Sequence, residues 1–333
     1  MKRNERKLPG LLLALLLAVP AWIAGIQFPF PGGPVIGIMA GMVLATRWTI
    51  PASTDHGLTF VSRRFLQAAI ILIGFGMDMS YVAAVGAESL SLIVLVILVA
   101  FVAAFIGGRA LQNPYRTSLL IGIGTGICGG SAIAAAAPVV EANEKEVASA
   151  ISTIFFFNVV AVLLFPPAGR LLGMTDTVFG IWAGTAINDT SSVVAAGQLW
   201  SQQALETATV VKLVRTLMLI PVVVLIAWLE RSRKAQVTNK VARKVPFSGV
   251  IPWFVLLFLA SSAAATGGIV SGQMSTWTAA IGKFCVVAAM SAIGLKTDIR
   301  ELFSFGRRSM ILGCACWMAV VMTSLLFQWM TAG

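Results

Sequence analysis

Two polar stretches interrupt a largely apolar chain, and they hold the residue types and spacings suited to chemistry. The first is Gly122-Ile-Gly-Thr-Gly-Ile-Cys-Gly-Gly-Ser-Ala132. Each glycine in a helix costs about 1 kcal/mol against alanine, so glycine this dense permits a break in mid-segment. A break frees backbone N–H and C=O groups that hydrocarbon cannot satisfy, and they must meet protein, water or a ligand. With Gly129 and Gly130 at the break, the half-helix starting near Ser131 would present amide donors and a positive dipole end, an anion site. The competing reading is close helix packing through small residues such as Gly126 and Gly130.

The second stretch is Gly184-Thr-Ala-Ile-Asn-Asp-Thr-Ser-Ser192. Asn188, Asp189, Thr190, Ser191 and Ser192 are consecutive polar residues near the middle of an apolar segment. A carboxylate at bilayer depth must be paired, protonated or wet. Asp189 is therefore expected to bind Na+ with Asn188, Thr190 and Ser191, to carry a coupling proton, or to form a structural ion pair. Lys212 and Arg215 are the candidate counter-charges. They lie three residues apart, on one helix face, with Thr216 beside them. Asp189 can answer one of these cations, and the expectation is that a substrate anion answers the other, unless Lys212 snorkels outward. Weaker signals are Lys283, expected to pair with Asp78 or Asp189, and Asn158, expected at the site or in an interhelical hydrogen bond. Glu146 and Glu206 open helices, where a carboxylate offsets the dipole.

The elements that position these residues must be membrane helices. The chain of 333 residues is 58% hydrophobic and 11% charged, with mean hydropathy +0.91. Soluble domains run near 45–50% apolar and about 25% charged. The fold expected is an all-α integral membrane protein. Eleven segments have the apolar character of a span: 8–26, 32–46, 65–87, 89–108, 117–140, 147–168, 177–198, 206–229, 248–268, 275–296 and 309–330. The expected organisation is a single polytopic domain. It comprises an extra N-terminal helix over 8–30, a first repeat over 32–168, a second over 177–330 and a basic cytoplasmic loop over 230–247. Lys2, Arg3, Arg6 and Lys7 ahead of Leu11–Leu17 resemble a secretory signal, but the cleavage region is poor and an uncleaved helix is preferred.

Placing the connections alternately, twenty of the 24 basic residues fall on one side and Lys145 alone on the other. Lys212, Arg215 and Lys283 lie inside spans. By the positive-inside rule, this supports eleven crossings, with the N-terminus cytoplasmic and the C-terminus periplasmic. If segments five and seven were re-entrant hairpins, only Lys145 and Arg170 would exchange sides. The net charge of +11 is thus a topology signal and implies no nucleic acid. No P-loop or zinc pattern is present, His56 is the one histidine, and the four cysteines sit in apolar segments as small buried thiols. No metal site, apart from Na+ at Asn188 and Asp189, and no cofactor is expected. An enzyme is not expected either, although Ser131 with Lys212 has the composition of a Ser–Lys dyad.

Two internal similarities stand out. Gly124–Ser131 resembles Gly184–Ser191 at an offset of 60, continued by Glu146 and Glu206. Ile73-Gly74 and Asp78 match Ile293-Gly294 and Asp298 at an offset of 220. Under eleven crossings the first pair would run the same way, which is not an inverted repeat.

The stretches 124–134, 150–166, 183–197 and 208–218 together resemble the YeiH-type family of bacterial inner-membrane proteins, named for sulfate export. The similarity spans about residues 10–330. It implies membership of the cation/proton antiporter and bile-acid transporter superfamily: two inverted five-helix units, panel plus core, with crossed discontinuous helices. It also implies a secondary active transporter of a small anion such as sulfate, sulfite or an organosulfur anion, coupled to H+ or Na+ by alternating access. The Asn188-Asp189 pair is similar to that of sodium/proton antiporters, which keeps cation/proton exchange as the alternative. A homodimer through the panel is an arrangement the superfamily allows.

Overall fold

The computed structural model describes residues 7–28, 32–235, 252–300 and 306–332. Among them every regular element is helical. Helix α1 spans Leu8–Gln27 and α2 spans Gly32–Arg47. Helix α3 runs over Ala52–Gly74 and α4 over Met79–Ala110. The boundary between α3 and α4 differs from the segments 65–87 and 89–108 read from hydropathy. Phe75, Gly76 and Met77 turn the chain, and the Asp78 carboxylate then caps α4 by accepting from the Ser80 amide at 2.7 Å. The Ser80 hydroxyl and amide hold this carboxyl below the usual carboxylate range. As a consequence Arg63 and Arg64 sit on an exposed part of α3, not in a connection.

Two short pairs follow. Helices α5 (Tyr115–Gly126) and α6 (Gly130–Ala136) flank the glycine-rich break, and α7 (Glu144–Leu171) follows them. Helices α8 (Asp176–Ala186) and α9 (Thr190–Trp200) flank the Asn188-Asp189 break. Helix α10 (Gln202–Leu217) continues as α11 (Leu219–Ala235), the step falling where Pro221 cannot donate a backbone bond. Helices α12 (Trp253–Thr266), α13 (Gly272–Leu295) and α14 (Arg307–Ala332) complete the chain. Most of the basic loop at 230–247 lies outside the described residues. Of the cysteines, Cys128, Cys285 and Cys316 are buried, but Cys314 is exposed on α14.

Both broken segments turn back instead of crossing. Twenty-four residues of straight helix would separate Asp176 from Trp200 by about 36 Å. Instead the Trp200 indole donates to the Asp176 carboxylate at 2.8 Å, and the Phe179 and Trp200 rings stack at 4.1 Å. Helix α10 runs beside both limbs. Gly180 and Gly184 of α8 meet Thr207 and Val211, whereas Gly197 of α9 meets Leu205. The register of α8 therefore rises with that of α10, whereas α9 folds back onto α10 across the single residue Ser201, so the two limbs are antiparallel.

The α5–α6 segment behaves likewise. Ser149, in the second turn of α7, donates to Ser309 at 2.9 Å, and Ser309 lies 3.5 Å from Asn113, just ahead of α5. The chain thus returns to the face it left. The two hairpins enter from opposite faces and meet tip to tip. Among the described residues this leaves nine helical segments that run from one face to the other, as in the alternative that the basic residues left open.

Around them the helices form two groups. Helices α1, α2, α3, α12 and α13 make one, fastened by close backbone approaches. A methyl on Gly41 of α2 would lie 2.7 Å from the Leu295 amide and 2.8 Å from the Ser291 carbonyl of α13. The other group packs α4, α7, α10 and α14 around the hairpins. In it α7 runs parallel to α14, with Phe157 over Trp317 at 5.2 Å.

Candidate functional site

The chemistry predicted from sequence gathers at the two hairpin tips, residues 127–129 and 187–189. Gly129 makes the first turn possible. Its φ of +66° is a conformation that residues with a side chain rarely adopt, and its amide closes the turn on the Gly124 carbonyl at 3.0 Å. A methyl built on Gly129 would lie 3.6 Å from both Cα and Cβ of Asp189, so the tips touch.

Each tip ends a half-helix and leaves carbonyls without helical partners. Lys212 and Arg215 of α10 answer them. The Lys212 ammonium donates to the Ile127 carbonyl at 2.9 Å and the Ile187 carbonyl at 3.0 Å. Arg215 donates from Nε to Gly126 at 2.7 Å, from Nη1 to Thr185 at 2.6 Å and Ile187 at 3.3 Å, and from Nη2 to Thr125. The Trp317 indole takes the Ala186 carbonyl at 3.1 Å. Both cations are fully buried. They sit where two negative helix ends converge.

One part of the expectation needs correcting, the direct pairing of Asp189 with one of the two cations. Among the described residues no salt bridge joins Asp189 to either. Backbone carbonyls do most of that work, and a sequence shows side-chain charge but not where carbonyls accumulate. Lys212 does not snorkel, and Thr216 bonds back to the Lys212 carbonyl at 2.8 Å.

Asp189 instead caps α9. It accepts from the Ser191 amide at 2.9 Å and from the Ser191 hydroxyl. Asn158 on α7 fixes the same turn, its Oδ1 accepting from the amides of Asn188 and Asp189 at 3.2 and 3.1 Å. Thr190, Ser191 and Ser192 are buried in the first turn of α9, while Asp189 itself is partly exposed. Asn188 is fully buried, and neither its amide nitrogen nor its oxygen has a hydrogen-bond partner among the described residues. The buried Thr125 hydroxyl shares that condition.

On the facing tip, a methyl on Gly130 would meet nothing within 4 Å, and Ser131 is exposed. Among the described residues no hydrogen bond joins Ser131 to Lys212, whose ammonium is engaged by two carbonyls. Lys283 stands apart on α13. It is within electrostatic reach of Glu206 on α10, and among the described residues no ion pair joins it to Asp78 or Asp189. Glu206 accepts from Gln202 at 2.8 Å, and the helix start belongs to Ser201.

Thr125 and Thr185 lie inside the two polar stretches but carry no expected role there, and Trp317 lies outside both. Trp317 and Ser324, which bonds Thr185 at 2.6 Å, lie seven residues apart on one face of α14. That spacing is their only signal.

The family described as conserved hypothetical protein 698 matches residues 9–313. A UPF0324 membrane protein of Streptococcus pyogenes serotype M6 is 42% identical over 335 residues, covering 98% of each chain. The chain belongs to the UPF0324 family of membrane proteins. A Fusobacterium nucleatum UPF0324 membrane protein is 39% identical over 344 residues, covering 97% of this chain and 98% of its own. One from Streptococcus pneumoniae serotype 4 is 42% identical over 327 residues, or 96% of each. Like these relatives, the UPF0324 protein described here is a membrane protein, and among the described residues seven helical segments are long and apolar enough to cross a bilayer. The shorter α2 and α12 are apolar as well.

Proposed function

We propose that this UPF0324 protein is a secondary active transporter of a small anion, sulfate, sulfite or a related organosulfur anion, and not an enzyme. The observation that carries the reading is the meeting of two opposed re-entrant hairpins over a buried Lys212–Arg215 pair. Irregular backbone at membrane depth is tolerated where it is buried in protein or lines a cavity, and broken helices at mid-depth are how many carriers build substrate sites. The charge balance favours an anion. The two cations outweigh Asp189 by one charge, while the partial charges at the four half-helix ends, about half an electron each, roughly cancel.

Asp189, partly exposed between the tips, is the group to carry H+ or to hold Na+ with Asn188. The glycine-fastened group of α1–α3, α12 and α13 acts as the fixed panel, and the hairpin group moves against it to give alternating access. The setting is the bacterial inner membrane, with the N-terminus cytoplasmic and the C-terminus periplasmic. The test is uptake of labelled sulfate and sulfite into proteoliposomes under imposed pH and Na+ gradients. Gradient-dependent flux above protein-free liposomes is expected. No flux under any gradient rejects the reading.

Cation/proton antiport is the second reading, favoured by the unpartnered Asn188 oxygen beside a partly exposed carboxylate. In that case Na+- or K+-driven proton movement appears, and Asp189→Asn abolishes it.

A further inference from the structure

The Asn188 side chain is fully buried at the hairpin tip with both its donor and its acceptor unpartnered. An unmade buried hydrogen bond is costly, so the empty pair is a sign of what completes it. The Thr125 hydroxyl, on the facing hairpin, is also fully buried and without a partner among the described residues. The Thr125 carbonyl and the Ile187 carbonyl beside Asn188 are both held by Arg215. A ligand at the tips therefore meets one amide that gives a hydrogen bond and one oxygen that needs one.

A fully deprotonated oxyanion offers acceptors only. It would satisfy the Asn188 nitrogen and set its own negative oxygens against the Asn188 oxygen. An oxyanion that keeps one O–H satisfies both ends. The charge balance agrees, since one surplus positive charge matches a monovalent ion.

We propose that the hairpin tips select a monovalent oxyanion bearing one O–H group, of the hydrogensulfite or bicarbonate type, and that Asn188 is the residue that reads the O–H. This rests on the anion-transport reading and narrows its substrate. Sulfate, divalent and without a donor, would be a poor ligand. A site built to bond a hydroxyl rejects an analogue lacking it much more strongly than an apolar pocket rejects a change of size.

Bicarbonate and nitrate make the cleanest comparison, because they share charge, planarity and nearly size and differ in one O–H. The experiment is titration calorimetry on the full chain in detergent with bicarbonate, nitrate, hydrogensulfite and sulfate. Bicarbonate is expected to bind about ten-fold tighter than nitrate, and hydrogensulfite tighter than sulfate by at least as much, since an unpaired buried acceptor costs that order. Asn188→Leu is expected to erase the bicarbonate preference. Should that variant fail to fold, Thr125→Val, nearly the same shape, is expected to reduce the affinity for both oxyanions. Nitrate binding as tightly as bicarbonate overturns the inference and leaves the anion reading standing, because a trapped water then satisfies Asn188. Binding of none of the four overturns the anion site itself.

Discussion

Arg215 spreads three nitrogens over carbonyls contributed by both hairpins, reaching Gly126 through Nε, Thr185 and Ile187 through Nη1, and Thr125 through Nη2. A lysine keeps the charge but loses the planar fork, so it can reach only part of this set. Each abandoned buried carbonyl costs about 1–3 kcal/mol. Arg215→Lys is therefore expected to destabilise by roughly 3 kcal/mol, read as a drop of several degrees in the thermal midpoint of the detergent-purified protein. A midpoint within one degree of wild type would show that the fork does not hold the tips together.

At this scale the sequence was legible in part. Asp189, Asn158, Lys212 and Arg215 stood out because ionic and amide groups are expensive in lipid. Their roles did not, because the groups that answer them are backbone atoms. Ser131 does stand in the first turn of α6, as its position predicts, but it is exposed, and among the described residues Lys283 makes no ion pair with Asp189.

Among the elements, the α5–α6 hairpin depends on two adjacent glycines with opposite requirements. Gly129 sits at φ +66° and ψ −133°, close to a region that only glycine occupies readily, whereas Gly130 opens α6 in free space. Gly129→Ala is expected to destabilise by about 1–3 kcal/mol through backbone strain. Gly130→Ala is expected to be neutral, or to stabilise by up to about 1 kcal/mol through helix propensity. Thermal unfolding of the two variants side by side checks the pair, and equal effects would refute the turn as described.

The glycine density announced this break, and the Asn188–Ser192 run announced its counterpart. The reversal at each break was not announced, because a hairpin of two short apolar limbs has the hydropathy of one long span. Only the tertiary contacts, Trp200 on Asp176 and Ser149 on Ser309, separate the two. The shifted boundary between α3 and α4 has a similar cause. Apolar residues continue on both sides of the Asp78 cap, so a hydropathy window runs through it.

Across the whole molecule, the reversals change what the internal similarity means. The unit of α5, α6 and α7 and the unit of α8, α9, α10 and α11 each contain one hairpin and one crossing. An odd number of crossings inverts the second unit relative to the first, so the offset-60 similarity joins two oppositely oriented units. The offset-220 similarity also gains a physical counterpart. Asp298 accepts from the Arg300 amide at 2.8 Å, as Asp78 does from Ser80, and the two follow helices α13 and α3, which run in opposite directions.

The charge distribution could not reveal any of this. With Arg63 and Arg64 set aside on α3, eighteen basic residues stand against one in either topology, because with hairpins Lys145 joins the basic side as Arg170 leaves it, and both topologies satisfy the positive-inside rule. The claim on which the site, the charge balance and the transport proposal all depend is that both broken segments turn back at mid-depth. Single cysteines at positions 116, 145 and 170, in a chain with Cys128, Cys285, Cys314 and Cys316 replaced by alanine, test it in sealed vesicles with an impermeant thiol reagent. Positions 116 and 145 are expected to react from the same side and position 170 from the other. Reaction of 116 and 170 from one side, with 145 alone on the other, would mean two full crossings and would contradict the account.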